Sequence, residues 1–290
     1  MESVVFRTRW ALLPLLLPAF GLLVFLIIPI GYVATYSLWT YSPTELMIPR
    51  ATLENYSTFL TDSYSRSALL RTIQVALATT AITLVLGYSV AYRMARSGAG
   101  ERGLLTLAAI SSLIVSEVVL AYAWFVLLAP YSGLAGEGLR RLGLLNGPLE
   151  LMYTNPAIVL GLVQANLVLM ILALYPAIGA IDPMYVRVAA SLGASPTYAF
   201  TRITFPLSLP GILSGSVLVF AASCSAFAIP LLLGGNQVPV LSSYIYQLNS
   251  IVLNWPLASA AAVILLLIIA LSLYILLLTV SRLRRRLGLS

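Results

Sequence analysis

The stretch AVILLLIIALSLYILLL, residues 262–278, is apolar on every face of any regular structure it adopts. A strand lining a membrane barrel alternates apolar and polar positions, and this run does not. About 20 such residues cross the roughly 30 Å of bilayer hydrocarbon as a helix. With its flanks the run extends over 257–281, enough for one crossing.

Five further stretches of the same kind lie upstream, at about 10–37, 68–93, 104–129, 157–180 and 210–233. The expected fold class is therefore all-α integral membrane, with six transmembrane helices in one membrane domain over residues 1–290. Composition agrees: 60% of residues are hydrophobic, 9% are charged and mean hydropathy is +0.99. Soluble domains carry about a quarter charged residues. The first stretch exceeds the apolar region of about 7–15 residues found in a cleavable signal, so it is read as a retained helix.

All sixteen basic residues are arginine. With the N-terminus inside, Arg7, Arg9, Arg93, Arg96, Arg102, Arg187, Arg202, Arg282, Arg284, Arg285 and Arg286 fall on one side of the membrane. Arg50, Arg66, Arg71, Arg140 and Arg141 fall on the other, and eleven against five puts both termini in the cytoplasm. The net charge of +7 reads as topology and attraction to anionic lipid headgroups. The arginines form no continuous stripe, which argues against a nucleic-acid partner.

Several chemistries are excluded by what the chain lacks. It has no histidine, the commonest general base and metal ligand, and its one cysteine, Cys224, builds neither a disulfide nor a thiolate cluster. Without lysine there is no G-x-x-x-x-G-K-[ST] phosphate loop. Any ATP and Mg the system uses are expected on a partner chain, and no cofactor is expected on this one.

Between the fourth and fifth stretches, residues 181–209 form a long polar connection, expected on the cytoplasmic side. Asp182-Pro183 is a helix-start signal, the carboxylate capping free N–H groups and the proline fitting the first turn. Val186, Ala189, Ala190 and Leu192 supply apolar positions and Gly193 a stop. Ser195-Pro196 repeats the start signal, so a second short helix is expected through Tyr198, Phe200 and Ile203, ending before Pro206. Pro206 and Pro210 then fix the return into the membrane.

Gly193, nine residues, then Ile203-Thr204-Phe205-Pro206 resembles the EAA loop, E-A-A-x-x-x-G-x(9)-I-x-L-P, of inner-membrane permease subunits of ATP-binding-cassette importers. The likeness extends to LENYSTFL (53–60), GYSVAYRMAR (87–96) and NWPLASAAA (254–262), and within the family it is greatest to the spermidine/putrescine subgroup. The resemblance implies the type I importer permease fold, with two coupling helices in 181–209 that sit in a cleft of the ATP-hydrolysing subunit. It also implies a second permease subunit, two ATP-binding subunits and an extracytoplasmic solute-binding protein as partners, in a bacterial or archaeal inner membrane. On this reading the chain is a transport subunit with no catalytic residue, and its substrate is a polyamine or another small polar solute.

Carried onto this chain, the motif marks Arg187, Ala189, Ala190, Gly193, Ala194, Ile203 and Pro206 as ATPase-coupling residues. Arg187-Val188-Ala189 stands where the family has Glu-Ala-Ala, and Phe205 where it has Leu. The reversed charge suggests one half of a heterodimeric permease pair whose other chain keeps the acid. Arg187 as a solvated residue near lipid, and Gly193 as an ordinary helix stop, are the competing readings.

Glu117 is acidic in the middle of the third stretch, where a charge costs about 2.5–3.5 kcal/mol on insertion scales. It is a candidate substrate residue, or alternatively a packing residue that is protonated or hydrogen-bonded to Ser111, Ser112 or a neighbouring helix. Tyr122 and Trp124 follow it, as cation–π partners for an organic cation or as interfacial belt residues. Gln164, Asn166, Ser223 and Ser225 either line the path or bond between helices. Two rival functions remain: an ion-coupled secondary transporter, expected to show repeats and interrupted helices, and an intramembrane enzyme, for which no nucleophile and base are evident.

Overall fold

The computed structural model describes residues 20–286, with helix predominating. The part of the first predicted stretch at 10–19, with Arg7 and Arg9, lies outside the described residues. Four described helices are long and apolar enough to span a membrane: Ser63–Arg96, Asn155–Gly179, Pro196–Ser225 and Trp255–Thr279. A fifth span is present if the bent pair Ala99–Ile114 and Glu117–Leu128 counts as one. Helix α1, Phe20–Tyr36, is apolar and shorter.

Contacts divide the chain into two units. The first comprises residues up to Asp62 together with Ile245–Ile264. In it α1 leads into an antiparallel hairpin, β1 (Thr40–Ser42) paired with β2 (Leu46–Ile48) in the register Thr40↔Ile48, and then into α2 (Glu54–Thr61). Asn55 on α2 is buried, and its amide donates to the carbonyls of Ser37 at 2.9 Å and Trp39 at 2.8 Å. This satisfies backbone groups left over where α1 ends. Ser37 Oγ also bonds Tyr56 OH at 2.7 Å.

The second unit, Ser63–Tyr244 with Leu265–Ser290, holds α3 (Ser63–Arg96), α4 (Ala99–Ile114), α5 (Glu117–Leu128), α6 (Leu134–Arg141) and α7 (Asn155–Gly179). The connection that follows contains α8 (Pro183–Ser191) and α9 (Pro196–Ala199), and a π-helical turn (Phe200–Thr204) joins α9 to α10 (Phe205–Ser225). Next comes α11 (Ala228–Gly234), while α12 (Leu241–Ser250) and α13 (Trp255–Arg286) have residues in both units. The core is α7 packed between α3 and α10, with Met170, Leu174, Ile178 and Val219 buried. Gly215 on α10 makes this approach possible: a methyl group there would lie 2.7 Å from Met170 Sδ and 3.1 Å from Ala173 Cβ. Small residues at such crossings let helix backbones come together.

Three sequence expectations need correction. The third stretch, 104–129, is not one helix: Val115 (ψ 126°) and Ser116 (ψ 141°) are extended, and the chain turns by 96° between α4 and α5. Glu117 is thus the first residue of a helix, not the middle of one. The fifth stretch, 210–233, is interrupted too, at Ala226 (ψ 134°), whose freed carbonyl accepts from Ser242 Oγ at 2.6 Å. Finally, the helix beginning at Pro196 does not stop before Pro206 but continues to Ser225. A proline ring clashes with the carbonyl four residues earlier, here Arg202, and the π turn over Phe200–Thr204 widens the helix where that clash would fall.

Candidate functional site

The connection over 181–209 is built by local backbone chemistry. Asp182 Oδ1 accepts from the Met184 N–H at 2.8 Å, and Pro183 opens α8. Gly193 takes φ +85°, while Gly193 N–H donates to Ala190 O and Ala194 N–H to Ala189 O, both at 3.0 Å. That pair of bonds is the Schellman ending, which calls for a left-handed residue that glycine supplies without steric cost. Ser195 Oγ then accepts from the Tyr198 N–H at 3.3 Å and Pro196 opens α9.

The two arms enclose a groove of about 610 Å³ lined by Met184, Tyr185 and Val188 from α8 and by Arg202, Ile203, Pro206 and Leu207 from the other arm. Met184 and Tyr185 are more than half exposed, and so is Leu192 beyond the groove. Ile203 and Pro206, two of the expected coupling residues, lie in the groove. Arg187, Ala189, Ala190, Gly193 and Ala194 belong to α8 and its ending but do not line it. The apolar residues Met184, Tyr185 and Val188 were missed, although their spacing of three and four positions is that of one helix face.

A second candidate region lies where the two helix interruptions meet. Val115 and Glu117 from one break, and Ser225, Ala226 and Ile229 from the other, line a cavity of about 340 Å³. Asn166 of α7 and Ser112 also line it. Glu117 Oε1 accepts from the Ile229 N–H at 3.5 Å, a bond from α5 to the neighbouring helix α11 of the kind the packing reading expects. Ser111 and Ser112 bond their own helix carbonyls at Ala108 and Ala109, not Glu117. Asn166 is buried, its amide donating to Leu162 O at 3.0 Å and to Ser223 Oγ at 3.3 Å, so Ser223 acts here as an interhelical partner. Ser225 Oγ bonds Ala221 O at 3.0 Å.

Trp124 and Gln164 are brought together in an adjoining groove, Trp124 Nε1 donating to Gln164 Oε1 at 2.6 Å. Tyr122 is not brought to the cavity. Five residues along an α-helix amount to about 140° of rotation, and Tyr122 instead stacks on Phe125 at 6.1 Å with most of its surface exposed. Tyr122 and Trp124 thus do not join Glu117 as cation–π partners on one face.

Residues 83–286 match the family described as binding-protein-dependent transport system inner membrane components. The chain belongs to this family. Similar relatives include the spermidine/putrescine transport system permease protein PotB of Haemophilus influenzae, 29% identical over 88% of each chain. PotB of Escherichia coli is 31% identical over 73% of this chain and 76% of its own. Among solved structures, a bacterial ABC transporter involved in the import of the acidic polysaccharide alginate superposes with a TM-score of 0.77 at 19% identity, over 98% of both chains. A bacterial alginate ABC transporter in complex with an alginate pentasaccharide-bound periplasmic protein gives 0.76 at 20%, over 97% of this chain and 96% of the other.

The chain is therefore a multi-pass inner-membrane permease subunit of the type I ATP-binding-cassette importer class, a transport component and not a catalyst. Interrupted helices, expected of a secondary transporter, are present here as well, so that criterion does not separate the two. Family membership does.

Proposed function

We propose that this chain forms half of the translocation pathway for a small organic cation of the polyamine kind. On this reading the connection over 181–209 couples it to separate subunits that hold and hydrolyse ATP with Mg. The observation that carries the substrate half is Glu117, an acid lining a cavity between two interrupted helices together with Asn166 and Ser225. Glu117 is exposed on this chain and so open to a solute, and a carboxylate offers an ammonium group both charge pairing and charge-assisted hydrogen bonds. The names of the PotB relatives lend support to the same substrate class. Gln164 and Trp124 line the adjoining groove, which is otherwise apolar and suited to the methylene chain of such a cation.

The coupling half is supported by the exposed apolar groove of the connection and by the Gly193 ending that holds its two arms together. Arg187 is exposed on α8. Standing where the family has an acid, it favours pairing with a different permease chain that keeps the acid, two ATP-binding subunits being shared between the pair. The arginine bias of eleven to five supports cytoplasmic termini. An extracytoplasmic solute-binding protein would deliver substrate to the opposite face. ATP binding and hydrolysis then bias a two-state element between inward-facing and outward-facing forms.

The test is reconstitution in liposomes with the second permease chain, the ATP-binding subunits and the solute-binding protein, using spermidine as probe. Spermidine is expected to raise ATP hydrolysis several-fold and to accumulate inside. A response to an uncharged solute but not to spermidine would replace the substrate class. Uptake by the isolated chain driven by an ion gradient would overturn the reading altogether.

A further inference from the structure

The π turn ahead of Pro206 does more than relieve a clash. Its widened winding, with Phe205 N–H donating to the Phe200 carbonyl, alters which side chains share a face. In an α-helix, positions five apart lie about 140° apart around the axis, and two rings so placed face different neighbours. Here Phe200 and Phe205 lie 6.3 Å apart and both reach Tyr88 of α3, at 5.7 and 6.2 Å.

Phe200 also meets Tyr92 edge-on at 5.9 Å and 83°. Tyr88 and Tyr92, one turn apart on α3, stack at 6.5 Å and 14°. Polar contacts brace the cluster at both ends: Tyr88 OH bonds Ser208 Oγ at 3.0 Å, and the Arg96 guanidinium lies 5.6 Å from the Tyr92 ring centre. Edge-on and stacked rings have preferred geometries and resist sliding.

The α8–α9 hairpin packs on the π turn. Force applied to the hairpin therefore arrives at Phe200–Thr204, where the aromatic rings tie it to α3. We propose that Tyr88, Tyr92, Phe200 and Phe205 form a transmission joint, passing movement of the hairpin to α3 and, through α7 packed against it, to the cavity that α7 lines with Asn166. They are positioning residues, touching neither ATP nor solute. The inference rests on the coupling reading above.

The test needs no knowledge of the transported solute. Ala222 lines the cavity and is replaced in an Ala222→Cys reporter, the native Cys224 being 1% exposed. In the assembled complex the reaction rate of this thiol with a membrane-impermeant maleimide is compared without nucleotide and with ATP trapped. With the joint intact a change of about tenfold is expected. In Phe200→Ala, ATP hydrolysis is expected to stay within about twofold while the nucleotide response of the thiol vanishes, and Phe200→Tyr is expected to retain it. If Phe200→Ala fails to assemble, Phe200→Leu keeps the apolar bulk without the ring and is held to the same criterion.

A full nucleotide response without the ring overturns the inference alone. Loss of hydrolysis along with the response overturns it too, because the rings then belong to the docking surface. If the unsubstituted chain binds no ATP-hydrolysing subunit, or its thiol ignores nucleotide, the coupling reading itself fails and takes this inference with it.

Discussion

Glu117 Oε1 accepts a hydrogen bond from the Ile229 N–H, so the acid that opens α5 reaches the first turn of α11. Neither helix has a side-chain cap of its own at Ser116 or Phe227, and the carboxylate meets part of the need of α11 from the neighbouring helix α5. Its length of 3.5 Å makes it weak. A cation entering the cavity would compete for the same oxygen with little to displace.

Two substitutions at this position separate packing from solute binding. Glu117→Gln keeps an acceptor for Ile229 but removes the charge, so thermal stability should hold within about 0.5 kcal/mol. Spermidine-stimulated ATP hydrolysis in liposomes should fall about tenfold, roughly 1.4 kcal/mol of lost attraction. Glu117→Ala should lose both. An undiminished spermidine response in Glu117→Gln removes the carboxylate from the solute path and leaves it a packing residue.

Gly193→Ala should weaken the connection without disturbing the spans. At φ +85° a β-carbon is strained whatever the space around it, a cost of about 1–2 kcal/mol. The arms should then splay, and co-purification of the ATP-binding subunit should drop several-fold while the chain's own membrane yield is unchanged. Gly193→Asn should fall between, since asparagine tolerates this region better. Equal co-purification for all three would reduce Gly193 to an ordinary helix ending.

Much of this connection was legible because its signals are local. Asp182, Ser195 and Gly193 each act on backbone groups within a few residues, and each does what its neighbours in sequence predict. The interruption at Val115 and Ser116 was not legible. Hydropathy averages over a window, and neither glycine nor proline marks that break. Pro206 misled for the opposite reason: a strong breaker was read as an ending, whereas a five-residue π turn absorbs it. The aromatic joint escaped notice because its rings come from segments over a hundred residues apart in the chain, and because α-helical spacing would have placed Phe200 and Phe205 on different faces.

Gly215→Leu tests the close approach of α10 to α7. With Met170 Sδ at 2.7 Å from a modest methyl, a larger side chain should overpack the core, at about 1–3 kcal/mol. The loss should appear as a lower melting temperature of the detergent-solubilised chain. Pairing it with Met170→Ala should restore part of the stability, since the two side chains share one space and neighbouring substitutions do not add. Strict additivity would mean that the helices separate instead of repacking.

Arg187→Glu restores the charge that the family pattern has at this position. Arg187 is exposed on α8, and the ion pairs Arg93 with Glu101 and Arg141 with Glu137 do not involve it, so among the described residues the substitution breaks no ion pair of Arg187. Its effect on the fold should be within about 0.5 kcal/mol, as at most surface positions. Its effect on assembly should be larger if Arg187 faces an acidic group on the ATP-binding subunit, because like charges at a rim slow association and repel. Binding of that subunit, measured at about 0.01 M and about 1 M salt, should weaken about three- to tenfold at low salt and converge with the unsubstituted chain at high salt, where charges beyond about 3 Å are screened. Identical binding at both salt concentrations would make Arg187 a solvated residue and remove the charge-based case for a heterodimeric partner.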